Sequence, residues 1–155
     1  MGDGRIKVAK DKAELVQRLL ASDQTTGPFQ TYADIVVFAA AIGFKYNRKA
    51  PLEGEFSKRD PAPIHRETFA SKGYEMILNL ISIADSLDPK ILVSDNNTSS
   101  EKLSIFEEYV NGGLEVLSDL LRGTLDYSDR LILEINSNTN DQYTQDLEFD
   151  LSRFI

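Results

Sequence analysis

The chain has 155 residues, enough for one domain with a sizeable core, and it carries a formal net charge of −8 without a single cysteine. The lack of cysteine excludes disulfides, thiolate zinc sites and cysteine nucleophiles, and it favours a reducing compartment. No stretch has the ~18 consecutive apolar residues of a membrane span or the apolar core of a signal peptide. We therefore expect a cytoplasmic protein with no membrane partner.

The charges are unevenly distributed along the chain. Residues 1–72 contain 12 Lys and Arg against 9 Asp and Glu, a net +3, whereas residues 73–155 contain 5 against 16, a net −11. Because phosphates repel carboxylates, a nucleic-acid contact is expected only on the first segment. The acidic second segment would face a basic partner, or it simply keeps the protein soluble.

The N-terminal residues predict a short strand followed by a helix. Basic and apolar residues alternate from Arg5 to Val8, which is the periodicity of a strand. Residues 11–21 place their apolar side chains on one helical face, and the turn-forming residues 22–28 end that helix. The sequence thus begins with a strand and a helix, and a second helix follows.

The second helix is predicted to begin at Thr31 and to be buried on most sides. Thr31 and Asp34 have the spacing of a capping box, and residues 35–42 include no polar side chain. Gly43 is expected in the left-handed conformation that ends helices. A basic cluster follows directly: Lys45, Arg48 and Lys49.

The middle of the chain alternates between irregular segments and helices. Residues 50–62 contain Pro and Gly and predict an irregular crossing, and Pro63 can occupy the first turn of a short helix through Phe69. Residues 74–87 have a helical apolar face. Residues 94–100 are entirely polar and predict a mobile loop.

The last third of the chain predicts one long and one short helix. The long helix extends from about residue 100 to residue 122 and contains Gly112 and Gly113, so we expect either a kink or a closely packed backbone there. A short amphipathic helix follows over residues 127–135. The last residues alternate between apolar and polar, as in an edge strand or a docking peptide. We divide the chain into a helical domain, residues 1–136, and an acidic tail, residues 137–155.

No arrangement of residues in the sequence indicates catalysis. His65 is the only imidazole, and no metalloprotease, EF-hand or phosphate-loop motif occurs. Glu107, Glu108 and the acidic tail could serve a metal-dependent nuclease, but a solvated acidic surface explains them more simply. We therefore predict a protein that is not an enzyme and has no cofactor or metal.

Binding is better supported than catalysis. A basic strand followed by two helices is the order of ribbon-helix-helix DNA-binding dimers, whose paired strands enter the major groove. Neutralising the basic cluster should weaken binding and leave thermal stability nearly unchanged. The residues predicted to bind DNA or a partner protein are Arg5, Lys7, Lys45, Arg48, Lys49, Lys58 and Arg59.

Five segments carry a resemblance to a known family. They read RIKVAKDKAELV, GPFQTYADIVVFAAAIGF, GYEMILNLISIADSLDPKIL, IFEEYVNGGLEVL and DYSDRLI. In this order, over residues 5–135, they resemble the DNA phosphorothioation (dnd) system-associated family called protein 4. The resemblance implies bacterial genome defence, in which sulfur replaces a non-bridging phosphate oxygen of DNA and companion proteins modify or restrict DNA. It supplies no catalytic residues.

Together these observations predict a mainly α, compact multi-helix domain with a short N-terminal β-strand. We expect a non-enzymatic accessory protein of a phosphorothioation modification or restriction system. It would act by binding DNA or other proteins of that system. The alternative is a ribbon-helix-helix transcriptional regulator, which must be a homodimer because each protomer supplies one strand.

Overall fold

The computed structural model describes residues 4–92 and 96–137, and it is mainly α-helical, as predicted. Two short strands form one antiparallel sheet, and single 3-10 turns at Lys10–Lys12 and Pro89–Leu92 precede α1 and follow α4. None of the described helices combines the length and hydropathy needed to cross a bilayer. The elements are β1 (Arg5–Ile6), α1 (Ala13–Leu19), α2 (Tyr32–Lys45), β2 (Ile64–His65), α3 (Arg66–Ser71), α4 (Glu75–Ser86), α5 (Asn96–Leu121) and α6 (127–137).

The predicted N-terminal strand is present, and its partner lies in the same chain. Arg5 pairs with His65 and Ile6 with Ile64, while Ile6 and Val8 are buried and Arg5 is exposed. This is not the pairing that a ribbon-helix-helix dimer requires, because there the second strand comes from the other protomer. The predicted helix start at Pro63 was wrong: Ile64 and His65 complete the sheet before α3 begins.

Helix α2 begins as predicted. The hydroxyl of Thr31 accepts a hydrogen bond from the backbone N–H of Asp34 at 3.2 Å, which satisfies one of the donors that a helix start leaves unpaired. The Asp34 carboxylate accepts hydrogen bonds from Tyr74 Oη at 2.6 Å and Lys72 Nζ at 3.1 Å. The start of α2 is therefore tied to the turn between α3 and α4.

The predicted helix end at Gly43 was wrong. Gly43 lies inside α2, and Asn47 adopts the left-handed conformation, with φ 52°. The N–H of Asn47 donates to the Phe44 carbonyl at 3.1 Å, and the N–H of Arg48 donates to the Gly43 carbonyl at 2.7 Å. These two bonds form a Schellman motif with Asn47 at its left-handed position. Asn suits this position because it tolerates the left-handed conformation better than most residues.

Glycine at position 43 serves packing between helices. A Cβ there would collide with the Tyr109 carbonyl of α5, and a Cβ at Gly113 would collide with the Ala39 carbonyl of α2. The backbones of α5 and α2 are therefore in close contact where the helices cross. Of the two expectations for Gly112 and Gly113, a kink or a closely packed backbone, the structure shows the closely packed backbone. The predicted central helix is confirmed, since half of the residues of α2 are buried, nearly all of them in one hydrophobic core, against which its Tyr32, Phe38 and Ile42 also pack.

Helices α4 and α6 complete the core from opposite ends of α5. Leu78 and Ile81 of α4 and Leu131 of α6 are buried in it. Helix α5 begins earlier than predicted, at Asn96, so residues 96–100 are helical and not a loop. Helix α5 ends at Leu121, close to the predicted residue 122, and the left-handed Gly123, with φ 76°, follows it. The predicted tail lies outside the described residues from 138 onward.

Candidate functional site

Two residues of the basic cluster, Arg48 and Lys49, are held by acidic residues of α4 and α5. Arg48 Nε lies 3.1 Å from Glu115 Oε2, and its Nη1 lies 3.7 Å from Asp119 Oδ2. Lys49 Nζ lies 3.1 Å from Asp85 Oδ1 and 3.4 Å from Glu108 Oε2. Of the seven residues predicted to bind DNA or a partner, Arg48 and Lys49 are thus paired with carboxylates of the same chain.

A tyrosine completes the cluster around Lys49. Tyr109 is buried and its hydroxyl donates to Asp85 Oδ1 at 2.7 Å. Burial, together with this hydrogen bond and the Asp85 charge, raises the pKa of Tyr109 to about 12. Burial alone would lower the pKa of Lys49, but the hydrogen bond and charge of Asp85, assisted by Glu108, outweigh burial and raise it. Lys49 therefore stays charged and fixed to the fold.

This geometry changes one expectation from the sequence. Arg48 and Lys49 connect the chain after α2 to α4 and α5, and Asn111 Nδ2 adds hydrogen bonds of 3.2 Å to the carbonyls of Ala50 and Pro51. Neutralising the basic cluster should therefore lower thermal stability as well as any binding. Loss of affinity in such a variant would not by itself locate an interface.

Lys45 has a different environment from Arg48 and Lys49. It is exposed, and no carboxylate of the described residues lies within ion-pair distance of its Nζ. Its neighbour Tyr46 is 44% exposed although it is aromatic, whereas the ring of Phe44, 42% exposed, packs edge-on against Tyr109 with 5.6 Å between the ring centres. We call Lys45 and Tyr46, with the groove beside them, the α2 exit surface.

The groove of the α2 exit surface is apolar and lies between α2, α5 and α6. It encloses about 110 Å³, and Lys45 and Tyr46 form part of its wall. The Tyr46 hydroxyl lies 3.4 Å from Glu134 Oε1, which joins α2 to α6 across the groove. Its apolar lining consists of Phe38, Ile42, Val116, Leu117, Leu120, Leu131 and Ile135.

The other predicted binding residues lie around β1 and the crossing that follows α2. Lys7 Nζ lies 5.0 Å from the centre of the Phe56 ring, which brings Lys7 close to the segment that carries Lys58 and Arg59. Lys58 and Arg59 are exposed, and no ion pair joins them to a described residue. Arg5 is exposed on β1. The structure thus separates the predicted site into the α2 exit and the β1 region.

Sequence reasoning missed the aromatic side chain of the α2 exit surface. Tyr46 is not among the predicted binding residues, although it lines the groove beside Lys45. The available signal was two aromatic residues flanking Lys45 at the end of an otherwise buried helix. Within the described ranges, no three His, Asp or Glu side chains are grouped so that they could hold a metal ion.

Comparison with known proteins identifies the family. The model of DNA sulphur modification system-associated protein 4 matches residues 5–154, nearly the whole chain and most of the segment predicted to be an acidic tail. No curated protein and no solved structure gives a significant match. The chain belongs to the family of DNA sulphur modification system-associated protein 4.

Proposed function

We propose that this chain is a non-enzymatic adaptor of a DNA sulphur modification system that binds another protein of that system through the α2 exit surface. Family membership supports the association with the system. The observation that carries the adaptor role is that Lys45 and the half-exposed Tyr46 form part of the wall of an apolar groove. Exposed aromatic residues beside an apolar depression are enriched in the centres of protein interfaces.

The chemistry of the surface indicates what its partner presents. The groove accepts an apolar side chain, and Lys45 at its wall has no carboxylate partner among the described residues. A partner segment that combines an apolar anchor with a neighbouring Asp or Glu would satisfy both. The anchor would supply most of the affinity, and the charge pair would supply orientation and specificity.

A charge-reversal pair tests this role. Lys45→Glu should weaken binding to the partner among the purified proteins of the system at least tenfold, because it places a carboxylate beside the partner's acidic residue. Lys58→Glu makes the same charge change on an exposed lysine outside this surface and should leave affinity within twofold. Isothermal titration measures both, and thermal unfolding confirms that both variants fold. Equal affinities for both variants would remove the α2 exit from the interface.

Direct contact with DNA through the β1 region is a second candidate function. It is favoured by Lys58 and Arg59, which are exposed and near Lys7. Here the same two variants should behave oppositely: Lys58→Glu should weaken binding to duplex DNA and reduce its salt dependence, and Lys45→Glu should not. Fluorescence anisotropy with and without phosphorothioate, at two salt concentrations, measures this. Absence of binding at low salt would exclude the DNA candidate.

A further inference from the structure

The outward face of α4 is apolar along its whole length. Its exposed residues are Met76, Leu80 and Ala84, and Leu87 follows directly after the helix. Met76, Leu80 and Leu87 are 69%, 58% and 84% exposed. A surface helix normally carries polar residues on the side that faces water. These four residues, the α4 stripe, therefore form a contact surface with no cover among the described residues.

The conformation of Leu87 supports a role in contact. Leu87 ends α4 in the left-handed conformation, with φ 58°, where glycine or asparagine is favoured. A largely exposed leucine at this position gains neither easy backbone geometry nor burial among the described residues. Burial against another molecule would give this side chain the stabilising contact that the described residues do not supply.

The order of large and small residues makes the α4 stripe complementary to itself. We propose that the stripe binds a second copy of this chain, with the two α4 helices antiparallel across a two-fold axis near residue 82. In that arrangement Leu80 packs against Ala84 of the second copy, and Met76 packs against its Leu87. The small Ala84 gives room for the larger Leu80, as in other close helix pairs.

The charges at the two ends of α4 also favour the antiparallel arrangement. Asp88, at the carboxyl end, would lie beside the amino end of the second copy's α4, where the helix dipole favours a carboxylate. Lys90 has no ion pair with a described residue and would come near the second copy's Glu75, whose carboxylate lies 2.7 Å from Arg66 Nη2 of its own chain and would then face both cations. In the antiparallel arrangement the two helix dipoles also point in opposite directions, so that opposite ends of the helices lie side by side. A parallel arrangement would align the dipoles and place like ends together.

The size of the stripe sets the expected affinity. One helix face on each copy is smaller than the roughly 1,200 Å² of total buried surface that is common in stable complexes. We therefore expect a reversible dimer with a dissociation constant in the micromolar range. Sedimentation velocity from about 1 to 300 µM should show a shift from monomer to dimer, in the range where small interfaces associate. Leu80→Asp should remain monomeric throughout, with Glu101→Lys on α5 as a folded control that still dimerises.

Disulfide trapping tests the register, because the natural chain has no cysteine. A mixture of the Leu80→Cys and Ala84→Cys proteins should form mixed disulfides much faster than either protein alone, since a disulfide needs Cα atoms about 4.4–6.8 Å apart. Faster linking of Leu80→Cys to itself would overturn the antiparallel register. A wild-type monomer at the highest concentration would overturn the dimer altogether.

The reactivity of the same cysteine variants identifies what covers the stripe if the chain is monomeric. Slow labelling of the Leu80→Cys thiol by a maleimide would show that residues of the same chain cover the stripe. Fast labelling would show that the stripe is open to a different partner. Both results in a monomeric protein would contradict binding of a second copy. In the dimer, labelling should be fast at low concentration and should slow as the protein concentration rises.

Discussion

The close crossing of α2 and α5 predicts that Gly113→Ala is destabilising although alanine is the better helix former. A Cβ at position 113 would lie inside van der Waals contact of the Ala39 carbonyl and 2.9 Å from the Gly43 backbone nitrogen. Both obstacles are backbone atoms of a buried helix, so relief requires the two helices to separate. The cost of such overpacking is about 3 kcal/mol, the upper part of the usual range.

Helix propensity opposes part of this cost. Alanine is favoured over glycine by about 1 kcal/mol inside a helix, so the free energy of unfolding should fall by a net ~2 kcal/mol. For a chain of this length the melting temperature should fall by roughly 4–8 °C. Urea unfolding and a thermal scan measure these quantities. Ser104→Ala, on an exposed position of the same helix, is the matched control and should change stability by less than about 0.5 kcal/mol. A Gly113→Ala protein that is more stable than the wild type would refute the close crossing.

Three further predictions follow from hydrogen bonds and ion pairs of the fold. Thr31→Ala removes the cap of α2 and should cost about 1 kcal/mol in urea unfolding, whereas Thr31→Ser should cost much less. Because the pKa of Tyr109 is raised from 10.0 to about 12, the folded protein should lose stability as pH rises between these values. Asp85→Asn should lower the pKa of Tyr109, which is measured by titrating tyrosinate absorbance with the Tyr109→Phe protein as the reference. Arg48→Gln combined with Lys49→Gln should lower the melting temperature, and the loss should shrink in 1 M salt if ion pairing is its cause.

The local sequence was sufficient where local chemistry determines the structure. Thr31 and Asp34 predicted the start of α2, because a cap depends on residues within one turn. The uninterrupted apolar run after Asp34 predicted a central helix, because such a run has no polar face to expose to water. The glycine pair at 112–113 predicted either a kink or a close approach, and only the fold could decide between them.

The sequence failed where a distant segment determines the outcome. Gly43 was expected to end α2, but its missing side chain accommodates α5, and Asn47 ends the helix. Ile64 was expected in a helix, but it pairs with Ile6, which is 58 positions earlier. Binding of DNA or a partner by Arg48 and Lys49 stays a prediction, but the local sequence could not show that carboxylates of α4 and α5 already pair with both side chains. Charges in a sequence show their sign and not whether the fold already neutralises them.

The measurement that tests the central claim most directly is titration of this chain with each purified protein of its DNA sulphur modification system. The wild type, Lys45→Glu and Lys58→Glu proteins should be titrated in parallel. The adaptor role predicts that one system protein binds with micromolar or tighter affinity, and that Lys45→Glu but not Lys58→Glu weakens this binding. Absence of binding to every system protein at about 100 µM, a concentration that would reveal even a weak interface, would contradict it.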